Sequence, residues 1–496
     1  MTDYFEIIII EIPKVVKAYP KTPNDEVLQW MLFLDNPEKE EVARIMEENK
    51  DIKEAKEELE RISQDDILRR KALNRTLEIA DGLQLKKEAE EALEKGAMGV
   101  ITDCEIPEKI IKKYSEKLLI KVQDVVKTIQ KIAEYKRSLY DIPVVAITGS
   151  VGKTSTKEMV ASVLEQKFNV SKTQGNYNNH IGVPLTILSW DENTEAAVVE
   201  MGMNHFGELK ILTNIAKPTI AVITNIGTAH IGLLGSRENI LKAKLEILEG
   251  LSKNGTVVIN NDNDLLHNCD LEEYKKITYG IINKSDFMAY NISQNELNSE
   301  FKIKLENKEY TVFVPIAGEH FIYNSLCSIA IGKILDIENE KILAGIKKFE
   351  ITGNRNKINE INNLKIINDY YNASYDSMKA SLEVLSHIEA KRKIAILGDM
   401  LELGEYSETL HRKVGEEVAK NKIDALLTVG ALSKYIAKEA RALGTKEVYE
   451  FDTNEECIRE ITNIVKKEDA ILLKASNRMN FAEIAKVLEG EKLWKK

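Results

Sequence analysis

The stretch P143-V-V-A-I-T-G-S-V-G-K-T-S-T156 decides how this chain is read. Val144 to Ile147 predict a strand, Gly149 and Gly152 punctuate a turn, and Lys153 stands at the start of a helix. Backbone N–H groups at a helix start, with an ammonium beside them, converge on a point suited to a polyphosphate. The run is shorter than G-x-x-x-x-G-K-[ST], because Gly149 precedes Gly152 by only three positions. Its place between a β-branched strand and a helix reads as an ATP or GTP loop. Lys153 would then lie against the β/γ oxygens while Thr154 offers its hydroxyl to Mg²⁺. The bland reading is a solvent-facing lysine. A cation there faces the positive end of the helix, which disfavours it.

Strands recur after the loop at Ala197–Glu200, Ile220–Thr224 and Val257–Ile259, with helices between several of them. That order builds a largely parallel sheet whose ligands sit beyond the strand carboxyl ends. Asp286 to Val314 alternates instead, which predicts an antiparallel hairpin or small sheet at an edge. Gly and five Asn residues interrupt the pattern between Thr352 and Asn363 and mark a boundary. Beyond it, Leu364–Ile367, Ile394–Leu397, Ala425–Val429, Glu447–Phe451 and Ala470–Leu473 predict a second α/β unit. Before residue 140, charged helical stretches are expected around Glu38–Leu68 and Ile110–Leu139, with Ala89–Leu93 leading to the strand G99-V-I-T102. The expected fold class is α/β in three domains: 1–140, 141–350 and 351–496. A chain of 496 residues is too long for one ordinary core.

The formal charge of -11 argues against a nucleic-acid partner held by electrostatics. No run approaches the roughly 18 apolar residues needed to span a bilayer, and I7-I-I-I10 reads as a strand. Cys104, Cys269, Cys327 and Cys457 form no C-x-x-C pair, so free thiols and a cytoplasmic setting are expected. A monomer is expected.

Several strand ends carry candidate chemistry. Glu200 closes A-A-V-V and is either a metal ligand near Thr154, a solvated edge or a member of a buried pair. His230, in T-N-I-G-T-A-H-I-G, is either a ligand residue or a packed neutral imidazole. Lys244 lies on an amphipathic helix, where most lysines are solvated. The amides of N176-Y-N-N-H-I-G-V-P184 suit a polar substrate, or simply an Asx-rich turn. N-D-N-D264 offers weaker metal candidates than Glu200, or a helix cap. I367-N-D-Y-Y-N-A-S-Y-D-S-M378 and G398-D-M-L-E-L-G404 both leave strand ends of the last unit, which points to a second nucleotide-clamping domain. Asp369 is either a ribose acceptor or a cap for the following helix.

Taken together these motifs resemble the Mur ligase family, the ATP-dependent amide-forming enzymes of peptidoglycan precursor synthesis. The matching runs are T148-G-S-V-G-K-T-S155, T173-Q-G-N-Y-N-N-H-I-G-V-P184, V199-E-M-G202, T224-N-I-G-T-A-H230, A243-K-L-E-I247, G318-E-H-F-I-Y-N324 and G353-N-R355. Y371-N-A-S-Y-D-S-M378 and L397-G-D-M-L-E-L-G-E405 are most similar to the branch that joins D-alanyl-D-alanine to UDP-N-acetylmuramoyl-tripeptide. The resemblance implies an N-terminal precursor-binding domain, a central ATPase-like domain and a mobile C-terminal Rossmann-like domain. It implies that Gly149, Ser150, Gly152, Lys153, Thr154 and Ser155 hold phosphate, and that Thr154 and Glu200 hold one Mg²⁺. His230 would help hold a second ion, supported by the carbamate that CO₂ forms on Lys244. Asn324 would lie near adenine, Arg355 would reach the phosphates, and Asp369 would bind ribose. Tyr371 and Asn372 would position nucleotide or the incoming amine. Lys153, Lys244, His230 and Arg355 make up the implied catalytic set.

Four differences from the family pattern stand out. Relatives carry Asn-Pro where this chain has Ser374 and Tyr375, a carboxylate in place of His180, and K-G-S-R in place of K474-A-S-N477, with Arg478 following. Residues 1 to about 75 are unmatched; only D81-G82 and K95-G-A-M-G-V100 resemble the precursor-binding region. The implied reaction passes through an acyl phosphate. The alternatives are a related amide ligase for another carboxylate and amine, or an ATP-binding regulatory protein without turnover.

Overall fold

A computed structural model describes residues 29, 42, 44–46, 49–54, 90–351, 353, 355 and 357–490. It divides into two units, residues 1–128 and 129–496. The readings at Ile7–Ile10 and most of Glu38–Leu68 lie outside the described residues.

In the first unit, β1 (Gly99–Thr102) pairs in parallel with β2 (Leu118–Lys121). The helical stretch expected from Ile110 to Leu139 is therefore broken. Helix Glu108–Lys113 ends before β2, and helix Val125–Ser138 follows it. Leu118, Leu119 and Ile120 form an apolar run too short for a helical stripe but long enough to register with Gly99–Ile101.

Among its described residues the second unit holds three sheets. The first has seven strands in the order β4-β5-β3-β6-β7-β8-β9. These are β3 (Val144–Thr148), β4 (Val170–Lys172), β5 (Ala196–Glu200), β6 (Ile220–Ile223), β7 (Thr256–Asn260), β8 (Lys275–Gly280) and β9 (Phe287–Met288). All its pairings are parallel. The alternate residues of β3 go to different cores: Val144 and Ala146 pack in one cluster, Val145 and Ile147 in another. Burial on both faces is why these strands read as continuous apolar runs. From β3 the chain runs out to β4 and back through β5, then crosses to β6 on the other side of β3. Ligands of such sheets bind where the order reverses, beyond the strand carboxyl ends.

The alternating segment forms its own three-stranded antiparallel sheet, β10 (Tyr290–Gln294), β11 (Ser299–Leu305) and β12 (Lys308–Val314). Phe301, Ile303, Leu305, Val312 and Val314 face the core beside helix Glu319–Ile334.

The last sheet runs β13-β14-β18-β15-β16-β17. Its members are β13 (Lys357–Ile361), β14 (Leu364–Asn368), β15 (Arg392–Gly398), β16 (Ala425–Val429), β17 (Glu447–Phe451) and β18 (Asp469–Lys474). Only β13 is antiparallel. It lies inside the segment read from sequence as a boundary. Asn362 and Asn363, at φ 54° and 58°, turn the chain tightly enough that Ile361 pairs with Leu364. Asn is among the few side chains that take this backbone readily, so the turn signal masked a strand. Among the described residues no helix is long and apolar enough to cross a membrane. All four cysteines are free thiols.

Candidate active site

Beyond β3 the chain makes its phosphate-type turn and enters helix Lys153–Leu164. Gly152 precedes that helix at φ 83°, a conformation strained for any residue with a Cβ. A Cβ on Gly149 would lie 1.9 Å from Thr224 Oγ1, so this glycine is required by close approach of the β6 loop. That loop stitches the turn in place. Ser150 N–H donates to Asn225 O at 3.0 Å, Val151 N–H to Asn225 Oδ1 at 3.0 Å, and Gly227 N–H to Ser150 Oγ at 2.9 Å.

Glu200, 2% exposed, ends β5 beside the turn. Its two oxygens accept from Thr154 Oγ1 and Asn178 Nδ2, both at 2.8 Å. The solvated-edge reading is thereby set aside. The Asn-rich loop has a divided role: Asn178 orients Glu200, whereas Asn179 Oδ1 accepts from the N–H groups of Ile181 and Gly182 in an Asx turn. His180 is exposed.

Lys153 Nζ donates to Gly149 O at 2.9 Å. Burial holds its ammonium below the ordinary lysine value; Arg355 pushes the same way and Glu200 opposes. Lys244 is 2% exposed, which overturns the solvated-surface reading of its helix. Burial above all, then Lys153, holds its amine well below the ordinary value. Ile240, Ala243, Lys244 and Ile247 are all buried, at i, i+3, i+4 and i+7. The lysine therefore occupies a core slot of its helix, a signal present in the sequence.

His230 sits at φ 64° before helix Ile231–Leu234, with Nδ1 2.9 Å from Glu402 Oε2. Burial, Lys153 and Lys244 lower its pKa, while Glu402 opposes. Asn324 is buried under the phosphate-type turn. Its Oδ1 accepts from Thr156 Oγ1 at 2.9 Å, and its Nδ2 has no protein partner.

The last sheet supplies the facing wall. Asp369, at the end of β14, accepts from Lys474 Nζ at 2.6 Å and from Ser381 Oγ. It caps no helix: Ser374 caps Tyr375–His387, forming a capping box with Ser377. The Arg355 guanidinium lies 4.0 Å from the centroid of the Tyr371 ring. Asn372 Oδ1 accepts from Ala373 N–H at 2.9 Å. In the N-D-N-D264 segment the carboxylates are structurally engaged. Asp262 accepts from the N–H groups of Ile281, Ile282 and Asn283, Asp264 pairs with Arg237, and Asn263 is the helix cap.

These groups line one cleft of about 580 Å³ between the two larger sheets. Ser150, Gly152, Lys153, Ser155, Glu200, His230 and Asn324 form one wall; Arg355, Asp369, Tyr371 and Asn372 form the other. Gly149, Thr154 and Lys244 stand behind the lining. Two residues that motif reading did not single out also enter: Asp376 and Glu402 reach across from the last lobe. Both lie within quoted motifs, but nothing in their spacing indicates partners 148 and 172 residues away.

Among the described residues no cluster of three His, Cys, Asp or Glu side chains is arranged to hold a metal by itself. Mg²⁺ is commonly bound through one or two carboxylates plus substrate phosphates, and Glu200 with the Thr154 hydroxyl fits that donor set.

Comparison with known proteins accounts for this arrangement. Residues 147–332 match the Mur ligase middle domain and 354–477 the Mur ligase glutamate ligase domain. Residues 1–89 match the PD-(D/E)XK nuclease family transposase model. A UDP-N-acetylmuramoyl-tripeptide–D-alanyl-D-alanine ligase from Bacillus subtilis (strain 168) is 39% identical over 403 residues, covering 80% of this chain and 86% of its own. Among solved structures, MurF from Acinetobacter baumannii superposes with a TM-score of 0.73 at 26% identity, covering 82% of this chain and 87% of that one. The MurF ligase from Thermotoga maritima in complex with ADP gives 0.72 at 26% identity, covering 82% and 91%. On sequence and fold alike, the chain belongs to the Mur ligase family of ATP-dependent ligases, with their three-domain α/β architecture.

Proposed function

We propose that this chain joins D-alanyl-D-alanine to UDP-N-acetylmuramoyl-tripeptide in peptidoglycan precursor synthesis. One observation carries the ATP-dependent ligase part of this reading: Lys153 and Glu200 on one lobe face Arg355 and Asp369 on the other across a single cleft. A carboxylate is a poor electrophile. ATP, when bound, supplies a phosphoryl group that turns it into an acyl phosphate open to attack by the free amine. The chain's own work is to hold the phosphates, offset their charge, align the amine and exclude water.

Lys153, the backbone of Gly149 to Ser155 and Arg355 would hold the phosphates. Asn324 would meet adenine through its unpartnered Nδ2, and Asp369 would accept from ribose hydroxyls. Tyr371, fixed by Arg355, and Asn372 stand where the nucleotide or the amine would be positioned. Thr154 and Glu200 would hold one Mg²⁺ and His230 a second, and these ions would neutralise charge at the transferring oxygens. Lys244 would carry a carbamate. Carbamylation needs a neutral amine, and burial beside Lys153 favours that form. The N-terminal region, assigned to 1–140, would bind the precursor.

A second reading has one specific observation in its favour. Residues 1–89 match the model of a different family, so the acceptor carboxylate could belong to another molecule. Mass spectrometry of products from ATP, D-alanyl-D-alanine and a panel of carboxylates separates the two. The tripeptide precursor is expected to gain one dipeptide with equimolar ADP. Product from another carboxylate alone would establish the second reading, and ADP release without any amine would sink both.

A further inference from the structure

The loop after β6 is gripped by two carboxylates of the last lobe. Asp376 Oδ2 accepts from Thr228 N–H at 2.7 Å and from Thr228 Oγ1–H at 2.8 Å. Glu402 meets the same loop twice. Its Oε2 lies 2.9 Å from His230 Nδ1, and its backbone carbonyl accepts from Gly232 N–H at 3.1 Å. Both residues of the pair have left-handed backbones, at φ 64° for His230 and 63° for Glu402. Side-chain-bearing residues keep that conformation when their surroundings fix it. The surroundings here are tight: a Cβ on Gly232 would lie 2.4 Å from Gly404 N, and Tyr406 Oη–H donates to Gly235 O at 2.6 Å.

A carboxylate only accepts hydrogen bonds, so the Glu402 contact puts a proton on His230 Nδ1. In the neutral ring the lone pair is then left on Nε2. Histidines that bind metals are commonly oriented in this way by a carboxylate on the opposite nitrogen. Here the carboxylate comes from the other lobe. We propose that Glu402, seated with the help of Asp376, is a positioning residue that makes the orientation of His230 conditional on contact between the lobes. A nucleotide held by the central lobe alone would meet an unoriented imidazole, and lobe contact would complete the cation site. The proposal rests on the reading of His230 as a cation ligand.

The test uses the full chain labelled with ¹⁵N-histidine, a nonhydrolysable ATP analogue and Mn²⁺. At pH 8 the wild-type His230 ring is expected as the Nδ1–H tautomer. Glu402→Ala should shift it toward Nε2–H, weaken the second Mn²⁺ about tenfold, and lower kcat more than it raises the KM for ATP. Glu402→Gln, whose amide oxygen also accepts from Nδ1–H, should restore the tautomer and most of the affinity. In a His230→Ala background, Glu402→Ala should change Mn²⁺ binding no further. An unchanged tautomer in Glu402→Ala would overturn the proposal, as would an equal loss of Mn²⁺ affinity with and without His230. If the tautomer depends on Glu402 but His230→Ala binds Mn²⁺ like wild type, positioning stands and the cation reading of His230 falls. Asp376→Asn gives the same readouts without altering the pair itself, and a weaker shift of the same sign is expected.

Discussion

The two lobes treat buried positive charge in opposite ways. In the last lobe it is paired: Lys474 lies 2.6 Å from Asp369, and Arg392 is bidentate to Asp469 with Glu447 beside it. Around the phosphate-type turn it is not. Among the described residues, neither Lys153 nor Lys244 has a carboxylate within ion-pair distance, and burial lowers the pKa of both. Lys157 provides an internal control. It lies on the same helix as Lys153 and is fully buried, yet it is satisfied by Glu158 at 2.8 Å and Thr173 O at 2.7 Å. Folding alone can pair a buried lysine, so the two left unpaired at the cleft are kept for an anion that arrives with the ligands.

The comparison breaks most visibly where pairing is removed. Lys474→Met leaves Asp369 buried without its cation, which typically costs about 3–5 kcal/mol. Urea unfolding should show that loss, and adding Asp369→Asn should recover much of it. Unchanged stability in the single variant would mean that the pair is not structural. In the central lobe the same kind of change should act on turnover instead. Lys153→Ala is expected to lower ATP-dependent product formation by about two orders of magnitude, near 3 kcal/mol of barrier. Its melting temperature should hold or rise, because a cleft-lining ammonium with no carboxylate partner is lost. A large fall in melting temperature with normal turnover would reverse the contrast. Lys244→Ala should cost roughly 10–100-fold in activity. Wild-type activity should fall in bicarbonate-free buffer and return with bicarbonate, whereas the variant should not respond. A bicarbonate-responsive variant would remove the carbamate from the scheme.

Much of this was legible in the sequence, for a physical reason. The β3 turn is local: strand, glycines, lysine and helix lie within fourteen residues, and backbone geometry alone makes an anion site of them. Strands buried on both faces were equally plain. Lys244 was legible only from its register with Ile240, Ala243 and Ile247, because composition describes its helix as solvated. β13 was hidden by its own Asn-Asn turn. The grip of Asp376 and Glu402 on the β6 loop could not be read at all. It depends on how two sheets distant in sequence meet, and no periodicity encodes that.

A smaller effect concerns what holds the Glu402 loop in place. His411 is fully buried; its Nε2 accepts from Met400 N–H at 3.0 Å, and Nδ1–H donates to Ser407 O at 2.6 Å. Both bonds together require a neutral ring, because a protonated imidazole has no acceptor left for Met400. Burial lowers its pKa from the ordinary 6.5, against opposing effects of Ser407 O and Asp399. The unfolded chain therefore takes up this proton at higher pH than the folded one, and stability rises with pH between the two values. The contribution is complete above about 6.5 and is lost as pH falls through the folded value. His411→Gln keeps an acceptor near the Nε2 position but cannot titrate. The stability gap between wild type and this variant should shrink as the pH is lowered from 7.5 to 5.5 in urea unfolding. A gap independent of pH would show that the ring is not held neutral.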